Sequence, residues 1–181
     1  VYGGGLRVYT TLDLNLQHEV EEVARANVAK LQQDNKNPET KVTNAAVVVL
    51  RPRTGEILAM LGSVDYHNEE IDGQVNIALA DRQPGSSFKP FTYATLFSQG
   101  YTPASMIMDV RTAFADPPNL AAYVPENYDR KYHGAVRIRQ ALASSYNIPA
   151  VWALERASVK NVIKTAHRMG INTLSGEYYG L

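Results

Sequence analysis

Two short runs in this chain hold residue types that could carry out acyl transfer. The first is Pro84-Gly-Ser-Ser-Phe-Lys-Pro90. A helix that starts at Ser86 puts Lys89 one turn later on the same face, where its ammonium can reach the Ser86 hydroxyl. The hydroxyl then lies at the positive end of the helix. A serine hydroxyl is a poor nucleophile until a base takes its proton. Lysine can be that base only when neutral, against an ordinary pKa of about 10.4. Lowering it to ~7–8 takes about three units, or roughly 4 kcal/mol, from burial and neighbouring groups. The spacing alone says little, because about one Ser-x-x-Lys arises by chance in a chain of this length. An N-cap serine followed by a surface lysine would look the same.

The second run is Ser145-Tyr-Asn147. It is expected on a loop between two helices, where its hydroxyl can relay a proton and its amide can hold an ammonium or a substrate carbonyl. Ser-x-Asn is also an ordinary helix-end sequence. The combination carries the argument: the chain contains one Ser-x-x-Lys and one Ser-x-Asn, in that order, each at an expected helix junction.

These residues need elements to position them. Leu6–Thr11 reads as a short leading strand, and residues 1–12 as a glycine-led linker. Asp13 is a plausible N-cap for a helix whose apolar stripe is Leu16, Val20, Val23, Ala24, Val28 and Leu31. Residues 32–43 read as a polar loop. Ala45–Leu50 and Glu56–Leu61, joined by Pro52-Arg-Thr-Gly55, read as an antiparallel hairpin. Residues 65–83 are irregular. Ser86–Gln99 reads as a helix with Phe88, Phe91, Ala94 or Thr95, and Leu96 inward, closed by Gly100. Residues 101–134 read mainly as loop, and 138–144, 149–157 and 159–169 as three short helices. The expected order is helix, hairpin, then a helical half.

Composition narrows the alternatives. The 181 residues are 45% hydrophobic, with eighteen basic and eighteen acidic residues and no net charge. Nucleic-acid binding and polybasic membrane binding are disfavoured. The absence of cysteine excludes disulfides, thiolate metal sites and cysteine nucleophiles. No apolar run approaches the ~20 residues of a membrane span, and no cleavable signal is expected at Val1-Tyr-Gly-Gly-Gly. His18, His67, His133 and His167 lack metal-ligand spacing, so neither metal nor cofactor is expected. His133 reads as a loop histidine rather than a base for a serine, and Glu126 as a solvated loop residue rather than a water activator. The tyrosines of 123–132 read as packing more than as a peptide groove, and Trp152 as core.

Ser-x-x-Lys and Ser-x-Asn belong to the serine penicillin-binding proteins and β-lactamases. Further runs carry the likeness: Leu6-Arg-Val-Tyr-Thr-Thr-Leu-Asp13, Ala45 through Gly55 to Gly62, Gln83 through Phe91, Pro125-Glu-Asn-Tyr-Asp129 and Ser145-Tyr-Asn-Ile-Pro149. Over nearly its whole length the chain resembles the transpeptidase module of class A, bifunctional penicillin-binding proteins. The resemblance implies an α/β (α+β) fold, an antiparallel sheet flanked by helices, with 13–181 as the N-terminal part of the domain. It implies Ser86 as the acylated nucleophile, Lys89 as general base and Ser145 as proton relay. Asn147 would steady Lys89 and the peptide, Tyr146 would join Ser86, Ser145 and Asn147 in binding substrate, and the Ser86 N–H would serve the oxyanion hole. The implied reaction is D,D-transpeptidation of D-Ala-D-Ala stem peptides, with β-lactams trapping the serine. A non-catalytic cell-wall sensor is the alternative.

There are two departures. Tyr146 stands where β-lactamases have Asp, which argues against that activity. Lys-Thr-Gly is absent, since Lys164-Thr165 is followed by Ala166. The chain is therefore expected to be a first half, with a hairpin whose edge needs the remainder of the module or self-association to cover it. A membrane anchor and a glycosyltransferase are expected upstream, on the extracytoplasmic face of a bacterial cell membrane.

Overall fold

Asp13 caps its helix as expected: its Oδ1 accepts from the N–H groups of Asn15 (3.1 Å) and Leu16 (3.2 Å). In the computed structural model, which describes residues 4–33, 42–115 and 122–174, helix α1 runs Leu14–Gln33. Ala24 and Val28 are buried, with Val20 beside them. Val23 and Leu31 stay exposed, so the inward stripe repeats every four residues and is narrower than expected. Gln32 and Gln33 belong to the helix, and most of the 32–43 loop lies outside the described residues.

The expected hairpin is present as β1 (Val47–Leu50) and β2 (Ile57–Leu61), antiparallel with Val47 opposite Leu61. Gln17 of α1 accepts from the Met60 N–H at 2.9 Å, and Arg25 donates to the Val64 carbonyl at 2.7 Å. Ala24, Val28, Leu61 and Val64 close a small core. The leading strand is not formed. Leu6, Val8 and Tyr9 are 76–86% exposed, and only the end of this lead meets β2, through Thr11 to the Ile57 carbonyl and Asp13 N–H to the Leu58 carbonyl. β-Propensity reflects packing on a pleated, half-buried surface, and these exposed side chains pack on none.

The chain divides into two compact units, Val1–Arg82 and Gln83–Leu181. In the second, Gly85–Phe88 forms a 3-10 turn that leads into α2 (Lys89–Ser98). Gly85 has φ +52, a conformation that suits glycine directly before Ser86. Thr95 and Leu96 are buried as expected, with Lys89, Thr92 and Tyr93 added to that face, while Phe88, Phe91 and Ala94 are half-buried and the two phenylalanines pack on the same core.

The stretch read as loop contains a second antiparallel pair, β3 (Met106–Asp109) with β4 (Gly134–Arg137), with Ile107 opposite Val136 and Asp109 opposite Gly134. Alternation turns Ile107 and Asp109 inward. The expectation of a single hairpin is corrected on this point. Three helices follow: α3 (Ile138–Ala143), α4 (Asn147–Ala157) and α5 (Val159–Arg168). Helix α4 starts two residues before the expected point. Pro149 falls in its first turn, where an N–H has no intrahelical acceptor to lose. Tyr93, Leu96, Ile107, Val136, Ile138, Ala153 and Val162 fill the core between these elements, with Trp152 packed at its margin.

Candidate functional site

The Lys89 side chain runs inward from the start of α2 and is 8% exposed. Its Nζ donates to three acceptors: the Ser145 carbonyl at 2.6 Å, Ser145 Oγ at 3.0 Å and Asn147 Oδ1 at 2.7 Å. Two motifs more than fifty residues apart thus meet at one nitrogen. Burial pushes the Lys89 pKa below the ordinary lysine value. The three acceptors favour the ammonium, and desolvation prevails. Ser145 Oγ can serve both protonation states, accepting from the ammonium or donating to the neutral amine. The Ser145 carbonyl and Asn147 Oδ1 only accept.

Ser145 has φ 54, a left-handed conformation that costs a non-glycine residue about 1–3 kcal/mol. In that conformation both its carbonyl and its hydroxyl lie within reach of Lys89. Asn147 is the first residue of α4 rather than a loop residue. Its Nδ2 donates to the Glu126 carbonyl at 2.7 Å, and its N–H to Asn127 Oδ1 at 2.7 Å.

Ser86 lies exposed on a cleft of about 610 Å³ that Ser145, Tyr146, Asn147, Asn127 and Tyr128 also line. Among the described residues no hydrogen bond joins Ser86 to Lys89, whose donors are taken up by Ser145 and Asn147. Such bonds often tighten only when substrate is bound. The structure therefore brings Lys89, Ser145 and Asn147 into direct contact, and places Ser86 and Tyr146 on the same cleft.

Behind Asn147 lies a group of residues for which the sequence reading had no role. Asp109 is fully buried, and Asn127 is 4% exposed. Asn127 Nδ2 donates to the two Asp109 oxygens at 3.0 and 2.8 Å and to the Lys131 carbonyl at 2.8 Å. His133 donates its N–H to Asp109 at 3.0 Å. Its Nδ1 lies 2.6 Å from Asp109, and its Nε2 3.1 Å from Asp129. The His133 ring stacks on Tyr146 with centroids 4.1 Å apart. His133 thus serves two carboxylates and the Tyr146 ring, with no bond to a serine among the described residues. Glu126 contributes its carbonyl to the site. The available signals were the inward position of Asp109 in Met106-Ile-Met-Asp109 and the run Pro125-Glu-Asn-Tyr-Asp129. No three or more histidine or acidic residues gather as a metal site among the described residues.

A buried lysine is thus held against a serine and an asparagine, beside a second serine on an open cleft. The family model for the penicillin-binding protein transpeptidase domain matches residues 45–181, and the chain belongs to that family. Penicillin-binding protein 2D of Bacillus subtilis is 33% identical over 92% of this chain and 23% of its own length. The crystal structure of penicillin-binding protein 1A from Haemophilus influenzae is 31% identical, with a TM-score of 0.64, over 70% of this chain and 18% of that one. An imipenem acyl-enzyme complex of penicillin-binding protein A from M. tuberculosis is 25% identical, with a TM-score of 0.56, over 71% and 34%. The chain spans less than a quarter of the length of the curated relatives it matches. The mixed helix-and-sheet fold is that of part of a transpeptidase domain.

Proposed function

We propose that these residues form the nucleophile half of a serine D,D-transpeptidase site. Ser86 Oγ attacks the penultimate D-Ala carbonyl of a peptidoglycan stem peptide and gives its proton to neutral Lys89. The tetrahedral intermediate collapses, the peptide bond to the last D-Ala breaks, and the proton passes through Ser145 to the departing amine. An amine of a neighbouring stem peptide then attacks the acyl-enzyme ester, forms the cross-link and frees Ser86. Asn147 holds Lys89 and the peptide, Tyr146 flanks the bound chain, and the Ser86 N–H faces the developing oxyanion. β-Lactams acylate the same serine. The observation that carries this reading is the Lys89 amine bonded to both Ser145 and Asn147.

The naming of the relatives and the acyl-enzyme complex among the structural neighbours support the chemical class. The Lys-Thr-Gly strand, a glycosyltransferase and an anchor are assigned to the longer protein, at the outer face of the cell membrane. No described helix is long and apolar enough to cross a bilayer. A sensor that only binds β-lactams or cell-wall peptides would not need a desolvated lysine beside a serine relay.

Intact-mass spectrometry of the full-length protein with penicillin is expected to show one adduct, mapped to Ser86. A folded protein without that adduct refutes the assignment. Turnover of stem-peptide substrate separates the enzyme from the sensor.

A further inference from the structure

We propose that Asp109 and Asn127 are positioning residues for the lysine base, acting through the first residue of α4. The inference rests on the transpeptidase reading for the role of Lys89, and on geometry for the rest. An asparagine amide can sit either way round, and its neighbours decide which. Asn127 Nδ2 faces three acceptors, the two Asp109 oxygens and the Lys131 carbonyl. The flipped amide would set its oxygen against all three, at a residue too buried for water to compensate. Asp109 therefore directs Asn127 Oδ1 to the remaining partner, the Asn147 N–H. That N–H opens α4 and has no acceptor within the helix.

Asn147 is then held at two points by adjacent residues, its N–H by Asn127 and its Nδ2 by the Glu126 carbonyl. Among the described residues its Oδ1 is left to Lys89 alone. The hydrogen-bonded path Asp109–Asn127–Asn147–Lys89 joins a strand, a loop and two helices. His133 anchors the same carboxylate and stacks on Tyr146, the residue between Ser145 and Asn147. Asp109 has no lysine or arginine partner among the described residues. Tyr93 adds to its surroundings: its buried hydroxyl is held protonated by desolvation and, second, by the Asp109 charge. If packing were the sole requirement, an apolar residue at 109 would avoid the cost of burying a charge.

The test uses the full-length protein with Asp109→Asn and, separately, Asn127→Ala. Stopped-flow labelling with a fluorescent penicillin yields the dissociation constant of the pre-covalent complex and the acylation rate constant. The labelling amplitude yields the fraction of competent protein. The expected result is an acylation constant reduced roughly 10- to 100-fold within the competent fraction, with the dissociation constant little changed for Asp109→Asn. Acylation at the wild-type rate in both variants overturns the inference while leaving the transpeptidase reading intact. So does a loss confined to amplitude or melting temperature, or a failure of both variants to give any competent protein, since each marks a purely structural role. A wild-type protein that forms no adduct on Ser86 overturns the functional reading itself.

Discussion

Lys89 is subject to two opposed influences whose balance, under the proposed mechanism, sets the working pH. Burial lowers its pKa, while acceptors within 3.0 Å stabilise the ammonium. Because desolvation prevails, the neutral base is populated at lower pH than in an exposed lysine. Acylation should therefore rise with pH through the lowered Lys89 pKa and level off before the ordinary value of about 10.4. Lys89→Arg keeps the charge but never supplies a free base. We expect it to reduce penicillin labelling of the full-length protein by about 10²–10⁴-fold and to remove the rising limb below the ordinary lysine value. A retained limb would assign the titration to another group. The meeting of Lys89 with Ser145 and Asn147, on one cleft with Ser86, could be anticipated because these residues sit in two motifs of short fixed spacing. Asp109, Asn127 and His133 could not, because they meet only after β3 and the 125–133 segment have folded together.

At the scale of elements, helices were more legible than strands. Helices α1 to α5 are long enough for apolar residues to repeat at helical spacing, and their ends carry local signals such as Asp13 and Gly100. Strands β3 and β4 are four residues each and lie 24 residues apart, with prolines and tyrosines between them. Nothing local announces such a pairing. The leading strand erred the other way, because Val8 and Tyr9 are β-prone residues whose exposed side chains find no surface to pack on. One glycine outside the motifs makes a sharp claim. A Cβ at Gly73 would stand 2.0 Å from the Asp65 carbonyl oxygen and 2.8 Å from that of Asn68. Both are backbone atoms of one tight turn, which cannot yield cheaply. Gly73→Ala should therefore destabilise the Val1–Arg82 unit by about 3 kcal/mol, visible as a lower denaturant midpoint. An unchanged midpoint would mean that the turn relaxes freely.

For the molecule as a whole, the two sheets among the described residues have two strands each, and a two-stranded ladder is marginal alone. Val48 and Leu50 of β1 and Met106 and Met108 of β3 are exposed. Such strands invite pairing with another chain. The 181-residue segment produced alone should therefore self-associate, and the full-length protein should not under the same conditions. Light scattering on both decides it, and a monodisperse monomeric segment would refute the expectation. The placement of Lys89 also bears on how the site comes into being. Its partners Ser145 and Asn147 follow 56 and 58 residues later in the chain, so the base has no local surrogate for them. Contacts of such sequence separation form late and slowly. Under the proposed mechanism, a refolding chain acquires a reactive serine when α2 docks against the start of α4, and covalent labelling by penicillin would act as a clock for that docking step.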